Sequence, residues 1–196
     1  TYPAPFGHYY KNAKHQFLFK ASELLSYGLT AGKITEISWE TVAQNAATDT
    51  FYSYTLNMGC VNTSSLSNWE NNLTNVFSPQ DLVVNLGWNN LVLTTPYEWD
   101  GVSNLVIEIC FNNLNYGNYT NNWSTHYQLT PFNSTIYYRS DITDACSYTG
   151  APTGIENKRP ITRFKVCDVS NPYQYSYHWT PNISIINDTV FDPLVN

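Results

Sequence analysis

The chain is poor in charge. Only 12% of its 196 residues are Asp, Glu, Lys or Arg, and Lys plus Arg total nine within a net charge of −6. No basic cluster is present to neutralise phosphates, which argues against nucleic acid as a partner. Long apolar runs are missing too, and none approaches the roughly 18 residues of a membrane-spanning helix. No two of the four cysteines form a C-x-x-C knuckle or redox pair. There is no G-x-S-x-G nucleophile elbow. His8, His15, His126 and His178 are scattered, with no i, i+4 pair suited to a metal. Glu98 and Glu108 stand alone on a strand or its approach, and Asp100 belongs to a turn. Together these gaps point away from an enzyme. The chain also opens at Thr1 without a Met or signal peptide and shows no C-terminal sorting segment, so the expectation is a processed product or a piece of a longer protein.

Aromatic residues are abundant, at 16% of the chain with 16 Tyr. Low charge with many aromatics is the opposite of the disorder signature. The surface must be polar through Asn, Ser, Thr and Tyr, as on extracellular β-proteins. Cys60, Cys110, Cys146 and Cys167 then read as two disulfides in an oxidising compartment, giving an extracellular or cell-surface location. The length suits one domain, or one domain and a fragment of a second.

Period-2 alternation recurs along the chain. Tyr52, Tyr54, Leu56 and Met58 alternate with polar residues, and Leu105, Ile107, Ile109 and Phe111 share one strand face. Further strands are expected over 16–19, 34–42, 90–94, 136–139 and 161–166. Turn signals lie between them, among them Asp100-Gly101 and Pro152-Thr153-Gly154. One helix is expected near Ser22 to Tyr27. There Ser22 would cap it, Glu23 would favour the dipole, Gly28 would end it, and Leu24 and Leu25 would pack under a sheet. Many short strands with one small helix predict an all-β, jelly-roll-like antiparallel sandwich.

Several stretches carry a resemblance. They are Gln16-Phe-Leu-Phe-Lys-Ala-Ser-Glu-Leu24 with Gly28-Leu-Thr-Ala-Gly-Lys-Ile34, Leu66-Ser-Asn-Trp69, and Gly87-Trp-Asn89. The strongest are Pro96-Tyr-Glu-Trp-Asp-Gly-Val-Ser-Asn-Leu-Val-Ile-Glu-Ile-Cys-Phe-Asn-Asn113 and Arg159-Pro-Ile-Thr-Arg-Phe164. In this order, over roughly residues 6 to 167, they resemble a module of large secreted and cell-surface proteins of Bacteroidota, often exported by the type IX route. Tyr177-His-Trp-Thr-Pro181 and Asp192-Pro193 resemble the start of an Ig-like or PKD-like repeat. The resemblance implies a sandwich module over 1–167, a linker and partial Ig-like segment over 168–196, and no catalytic residues. Trp88 and Trp99, as parts of its pattern, are expected in the core. The family-like motif also implies a Cys110–Cys146 disulfide, which leaves Cys60 with Cys167. Alternation supports part of this, because Cys110 lies on the strand face opposite Leu105 and Ile107.

Residues 112–127, rich in Asn, Tyr and Trp, read as a long loop. Tyr116, Tyr119, Trp123 and Tyr127 there form a candidate contact surface. Asp141-Ile-Thr-Asp144 is a candidate calcium turn, although two carboxylates are few for such a site; no other cofactor is expected. N-x-S/T sequons begin at Asn62, Asn72, Asn118, Asn122, Asn133, Asn182 and Asn187, and Asp188-Thr-Val190 resembles a short O-glycosylation motif. The functional expectation is a non-catalytic structural or adhesive module of a large surface protein. Its partners would be neighbouring modules, copies of the same chain, or surface polysaccharide. The alternatives are a carbohydrate-binding module of a secreted enzyme and a self-assembling filament subunit.

Overall fold

A computed structural model describes residues 2, 4–7, 9–44, 49–114 and 123–167, and the backbone of 175–180, 185–186 and 194–195. In chain order the elements are β1 (Asn12–Phe19), α1 (Ala21–Ser26), β2 (Gly32–Gln44), β3 (Thr50–Val61), β4 (Thr74–Val83), β5 (Gly87–Trp99) and β6 (Asn104–Asn112). They continue as β7 (Trp123–Thr125), β8 (Tyr127–Leu129), β9 (Thr135–Ser140), β10 (Gly154–Glu156), β11 (Lys158–Pro160) and β12 (Thr162–Cys167). The tail adds β13 (Tyr175–Thr180), β14 (Ile185–Ile186) and β15 (Leu194–Val195). Strands make up 59% of the described residues and helix 4%, as an all-β fold requires.

Two antiparallel sheets carry the fold. The first runs β10-β9-β1-β6-β3-β4 and the second β13-β12-β2-β5, with β7 on the far end of β2. The chain visits them alternately: β1 in the first, β2 in the second, β3 and β4 in the first, β5 in the second, β6 in the first. This is the crossing pattern of a jelly-roll-like sandwich. Between the sheets lies one apolar core. Phe17, Phe19, Leu56, Met58, Leu105, Ile107, Ile109 and Phe111 from the first sheet meet Ile34, Ile37, Trp39, Leu91, Phe164 and Val166 from the second. Each such side chain stabilises the fold by about 1.5–3 kcal/mol. In the tail, β13 pairs along β12, and β14 pairs with β15.

The first sheet is covered on its outer face as well. Leu18, Val106 and Ile136 pack there with Leu66, and Trp69, Leu73 and Phe132 close over them. Two backbone bonds hold the cover, from Leu66 N to Asn133 O at 2.8 Å and from Leu18 N to Ser134 O at 2.8 Å. Double coverage explains why β6 is buried at every position from Leu105 to Phe111, including Val106, Glu108 and Cys110.

Three motifs prove to be structural. In Trp99-Asp-Gly-Val-Ser-Asn104, the Asp100 carboxylate accepts bonds from Val102 N, Ser103 N and Ser103 Oγ, and Trp99 Nε1 donates to Ser103 O. These bonds hold the Asp100 carboxyl below its ordinary range. Asn104 then accepts from Ala21 N and donates to Thr63 O, tying the helix to the outer cover. Gly101 has φ 76°, and a Cβ there would stand 2.9 Å from the Ala31 Cβ, so only glycine suits the turn. In Gly87-Trp-Asn89, Asn89 Nδ2 donates to Asn85 O, Gly87 O and Thr41 Oγ1, locking the β4–β5 turn. In Arg159-Pro160, the guanidinium is fully buried. It is paired with Glu23 at 3.1 Å, bonded to Leu18 O, and stacked 4.1 Å over the Phe19 ring.

Several expectations are corrected. Ser22 is exposed inside the helix rather than capping it. The cap position is Lys20, whose N–H is taken by Glu23 Oε2 at 2.9 Å. Gly28 does end the helix, at φ 87°, but Leu25 is 49% exposed while Leu24 is buried. In β3, Ser53 takes φ 53° and the register slips between Phe51 and Tyr54. That bulge turns Phe51 inward and takes Tyr52 out of the apolar face. Strand β4 carries no clear alternation, because Pro79 and polar neighbours interrupt it. It lies at an edge of its sheet, where proline is tolerated.

Candidate functional site

The expected contact surface divides. Tyr116 and Tyr119 lie outside the described residues, as do the sequons at Asn118, Asn122, Asn182 and Asn187, and Asp188-Thr-Val190. Trp123 is corrected. It sits on β7 against the end of β2, is 2% exposed, and belongs to the inter-sheet core, so it offers nothing to a ligand. Tyr127 is exposed, 6.1 Å from the Tyr2 ring, with the Lys158 ammonium lying over it. Trp88 is also corrected. Asn89, Leu91 and Leu93 take the inner positions of β5, so Trp88 lies on the outer face, with the Arg163 guanidinium 4.5 Å over its ring. Trp99 is in the core as expected.

The cysteines divide as well. Cys110 and Cys146 are joined, with their Cα atoms 5.3 Å apart, which staples the 141–153 loop onto the outer face of the first sheet. Cys60 and Cys167 are free thiols, against expectation. Alternation gives the reason. Cys60 continues the inward series Tyr54, Leu56, Met58, whereas Val166 points inward on β12 and so turns Cys167 out of the sandwich.

The outer face of the first sheet carries a buried polar network. Glu108 accepts from Gln16 Nε2 at 2.8 Å and from Asn57 Nδ2 at 2.9 Å, and Lys14 Nζ lies 3.4 Å away. Gln16 exchanges two bonds with the Glu70 backbone, and Thr63 Oγ1 donates to the Glu70 carboxylate. Lys14 also donates to Tyr148 O and lies 4.8 Å over Trp69. Glu108 ties strands β1, β3 and β6 together, while the Gln16–Glu70, Lys14–Tyr148 and Lys14–Trp69 contacts anchor the 62–72 and 141–153 cover to the sheet. The other two carboxylates singled out from sequence are far less enclosed. Glu98 makes an exposed ion pair with Lys33 at 3.4 Å, and Asp100 holds its turn. Asp141 and Asp144 each use Oδ1 on a backbone amide, of Lys11 and Cys146. Among the described residues no group of three or more His, Cys, Asp or Glu is placed to hold a metal ion. Likewise, no helix among them is long and apolar enough to cross a membrane.

Among the described residues, two open hollows stand out. One, of about 260 Å³, is lined by Asn68, Trp69, Asn71, Thr149, Gly150 and Ala151. It lies where the two outer loops meet, and Trp69 Nε1 fastens them by donating to Gly150 O at 2.7 Å. The other, of about 360 Å³, is lined by Tyr10, Tyr137, Arg139 and Thr153. Arg139 lies 4.0 Å over the Tyr137 ring, and its Nη2 is 3.3 Å from His15 Nε2. Neither hollow was legible in the sequence, since each draws residues from two or three separated stretches. Comparison of the chain with protein-family models, curated proteins and solved structures returned no match in any of the three.

His15 lends itself to a pH test. It is buried, stacked on Phe17 and beside Tyr137 and the Arg139 cation. Burial first, and then Arg139, push its pKa well below the ordinary value. The folded state therefore keeps it neutral while the unfolded chain takes up a proton below about pH 6.5. Its contribution to stability is full above that pH and falls by about 1 kcal/mol per pH unit below it, until the folded pKa is reached. Urea midpoints measured between pH 7 and 5 should fall for the native chain. His15→Gln should flatten that slope, and an unchanged slope would refute the assignment.

Proposed function

We propose that this chain is a non-catalytic extracellular module, structural or adhesive, of a large surface protein. The observation that carries the proposal is the Cys110–Cys146 disulfide, which fixes a long outer loop and suits an oxidising compartment. Support comes from the use of buried charge. Arg159, Glu23, Glu108 and Lys14 are all engaged in joining strands to one another or to the helix and loops. The low charge and the Asn- and Tyr-rich surface fit the same setting. The resemblance to Bacteroidota surface modules agrees with this proposal. Beads coated with the purified module should attach to surfaces that the producing cells colonise, and free module should compete. Beads that bind no better than albumin-coated ones would count against adhesion.

A carbohydrate-binding module is the second reading, favoured by the hollow around Trp69. An indole flanked by Asn68, Asn71 and Thr149 offers the apolar face and the amide and hydroxyl groups a neutral sugar needs. On a glycan array, Trp69→Ala should lower retention of a bound neutral oligosaccharide at least tenfold. Equal retention would remove this reading.

A further inference from the structure

The hollow over Arg139 has features that structural duty does not explain. Its floor comes from β9, its wall from the residues entering β10, and its rim from Tyr10 just before β1. Among the described residues Arg139 makes no ion pair with a carboxylate, in a protein of net charge −6. Its partners among the described residues are a neutral imidazole and a phenol ring. A guanidinium carries five N–H donors in a planar fork, and one contact to His15 leaves most of that fork unmatched. Beneath it, the other nitrogen of His15, Nδ1, is buried without a hydrogen-bond partner.

The walls are held in place. Thr153 N donates to Tyr137 O at 2.8 Å, and Thr153 Oγ1 bonds to the same oxygen at 3.2 Å. A Cβ on Gly154 would overlap the Tyr137 phenol, so glycine at 154 is what lets that ring lie beside Arg139. Tyr10 is braced edge-on by Tyr9, with ring centroids 5.2 Å apart. A cation with no carboxylate partner among the described residues, two aromatic walls and a hydroxyl thus face one open space of about 360 Å³, within the range of small-molecule sites.

We propose that this hollow binds a carboxylate-bearing sugar, a uronate unit of an acidic polysaccharide. Arg139 takes the carboxylate through its fork, which is the geometry that favours arginine over lysine. Tyr10 and Tyr137 lie against the ring, and the Thr153 hydroxyl meets a sugar hydroxyl. An acidic peptide offers the same carboxylate but no ring of hydroxyls to engage the tyrosines and Thr153. The inference rests on the adhesive reading and gives it a ligand class.

The test is calorimetric titration of the whole chain with oligomers of galacturonate, glucuronate and mannuronate, their methyl esters, and polyglutamate. At least one uronate oligomer should bind saturably, its methyl ester at least tenfold more weakly, and polyglutamate more weakly still. Arg139→Gln should lose at least tenfold in affinity, and Arg139→Lys severalfold, because it keeps the charge without the fork. Tyr10→Ala, at the rim, should lose affinity without a change in melting temperature, which keeps the test open if the Arg139 variants fold poorly. No saturable binding to any uronate, equal binding of the ester, or tighter binding of polyglutamate would overturn the inference. A module whose beads still attach to surfaces but which ignores every uronate loses this site alone. Beads that attach nowhere would instead count against the adhesive reading.

Discussion

Replacing Glu23 with Ala is expected to destabilise the domain by about 3–5 kcal/mol, the range for removing one partner of a buried ion pair. The loss has two parts. Arg159 is fully buried, and Glu23 is the carboxylate that pairs with it. Burial already pulls the Arg159 pKa below its ordinary value, and Glu23 is the chief group opposing that pull. Without Glu23 the cation stays buried against Phe19, with the Leu18 carbonyl as its one remaining acceptor among the described residues. The same carboxylate caps the helix through Lys20 N, and a lost cap costs about 1 kcal/mol more. Glu23→Gln keeps an acceptor for both contacts and should recover part of the loss. Denaturant melts of the two variants would show the order, and equal stability of Glu23→Ala and the native chain would refute the role given to the pair.

Reducing Cys110–Cys146 is expected to cost about 4 kcal/mol, from the chain-entropy model applied to a separation of 36 residues. The effect should be spatially selective. The 141–153 loop supplies Tyr148 O to Lys14 and Gly150 O to Trp69, and stacks Tyr148 on Tyr138 with centroids 3.5 Å apart. Releasing it should expose the outer face of the first sheet while the core between the sheets stays packed. Hydrogen exchange after mild reduction should quicken first at residues 141–153, at 66–73 and along β9. Uniform quickening across both sheets would mean that the bridge supports the whole domain instead.

The sequence disclosed the sandwich well, because alternation over Leu105 to Phe111 is long and regular and further strand-like stretches recur between turn signals. It did not disclose that the first sheet is buried on both sides. Glu108 reads as an isolated carboxylate on its strand, and the covering loops make it interior together with Cys110. The Cys110–Cys146 bridge was accessible through the resemblance and the strand parity. The expected Cys60–Cys167 bridge failed because those thiols lie on opposite sides of the second sheet's surface, which needs the sheet assignment of β12 to see. Aromatic side chains misled more than once. Trp123 looked like a loop residue and is core, while Trp88 looked like core and faces outward. Both errors come from β7 and β5, where short strands or a turn reset the alternation. The two hollows form from tertiary contacts between distant stretches, and no local pattern reports them.

The proposed extracellular location has a direct test in the thiols. Intact producing cells would be treated with a protease and a membrane-impermeant alkylating reagent, and the released peptides mapped without reduction. The account predicts that fragments of this domain are shed from intact cells, that Cys110 and Cys146 appear in one linked peptide pair, and that Cys60 and Cys167 appear as thiols or alkylated thiols. Fragments found only after lysis, or four separate thiols in the native chain, would contradict it.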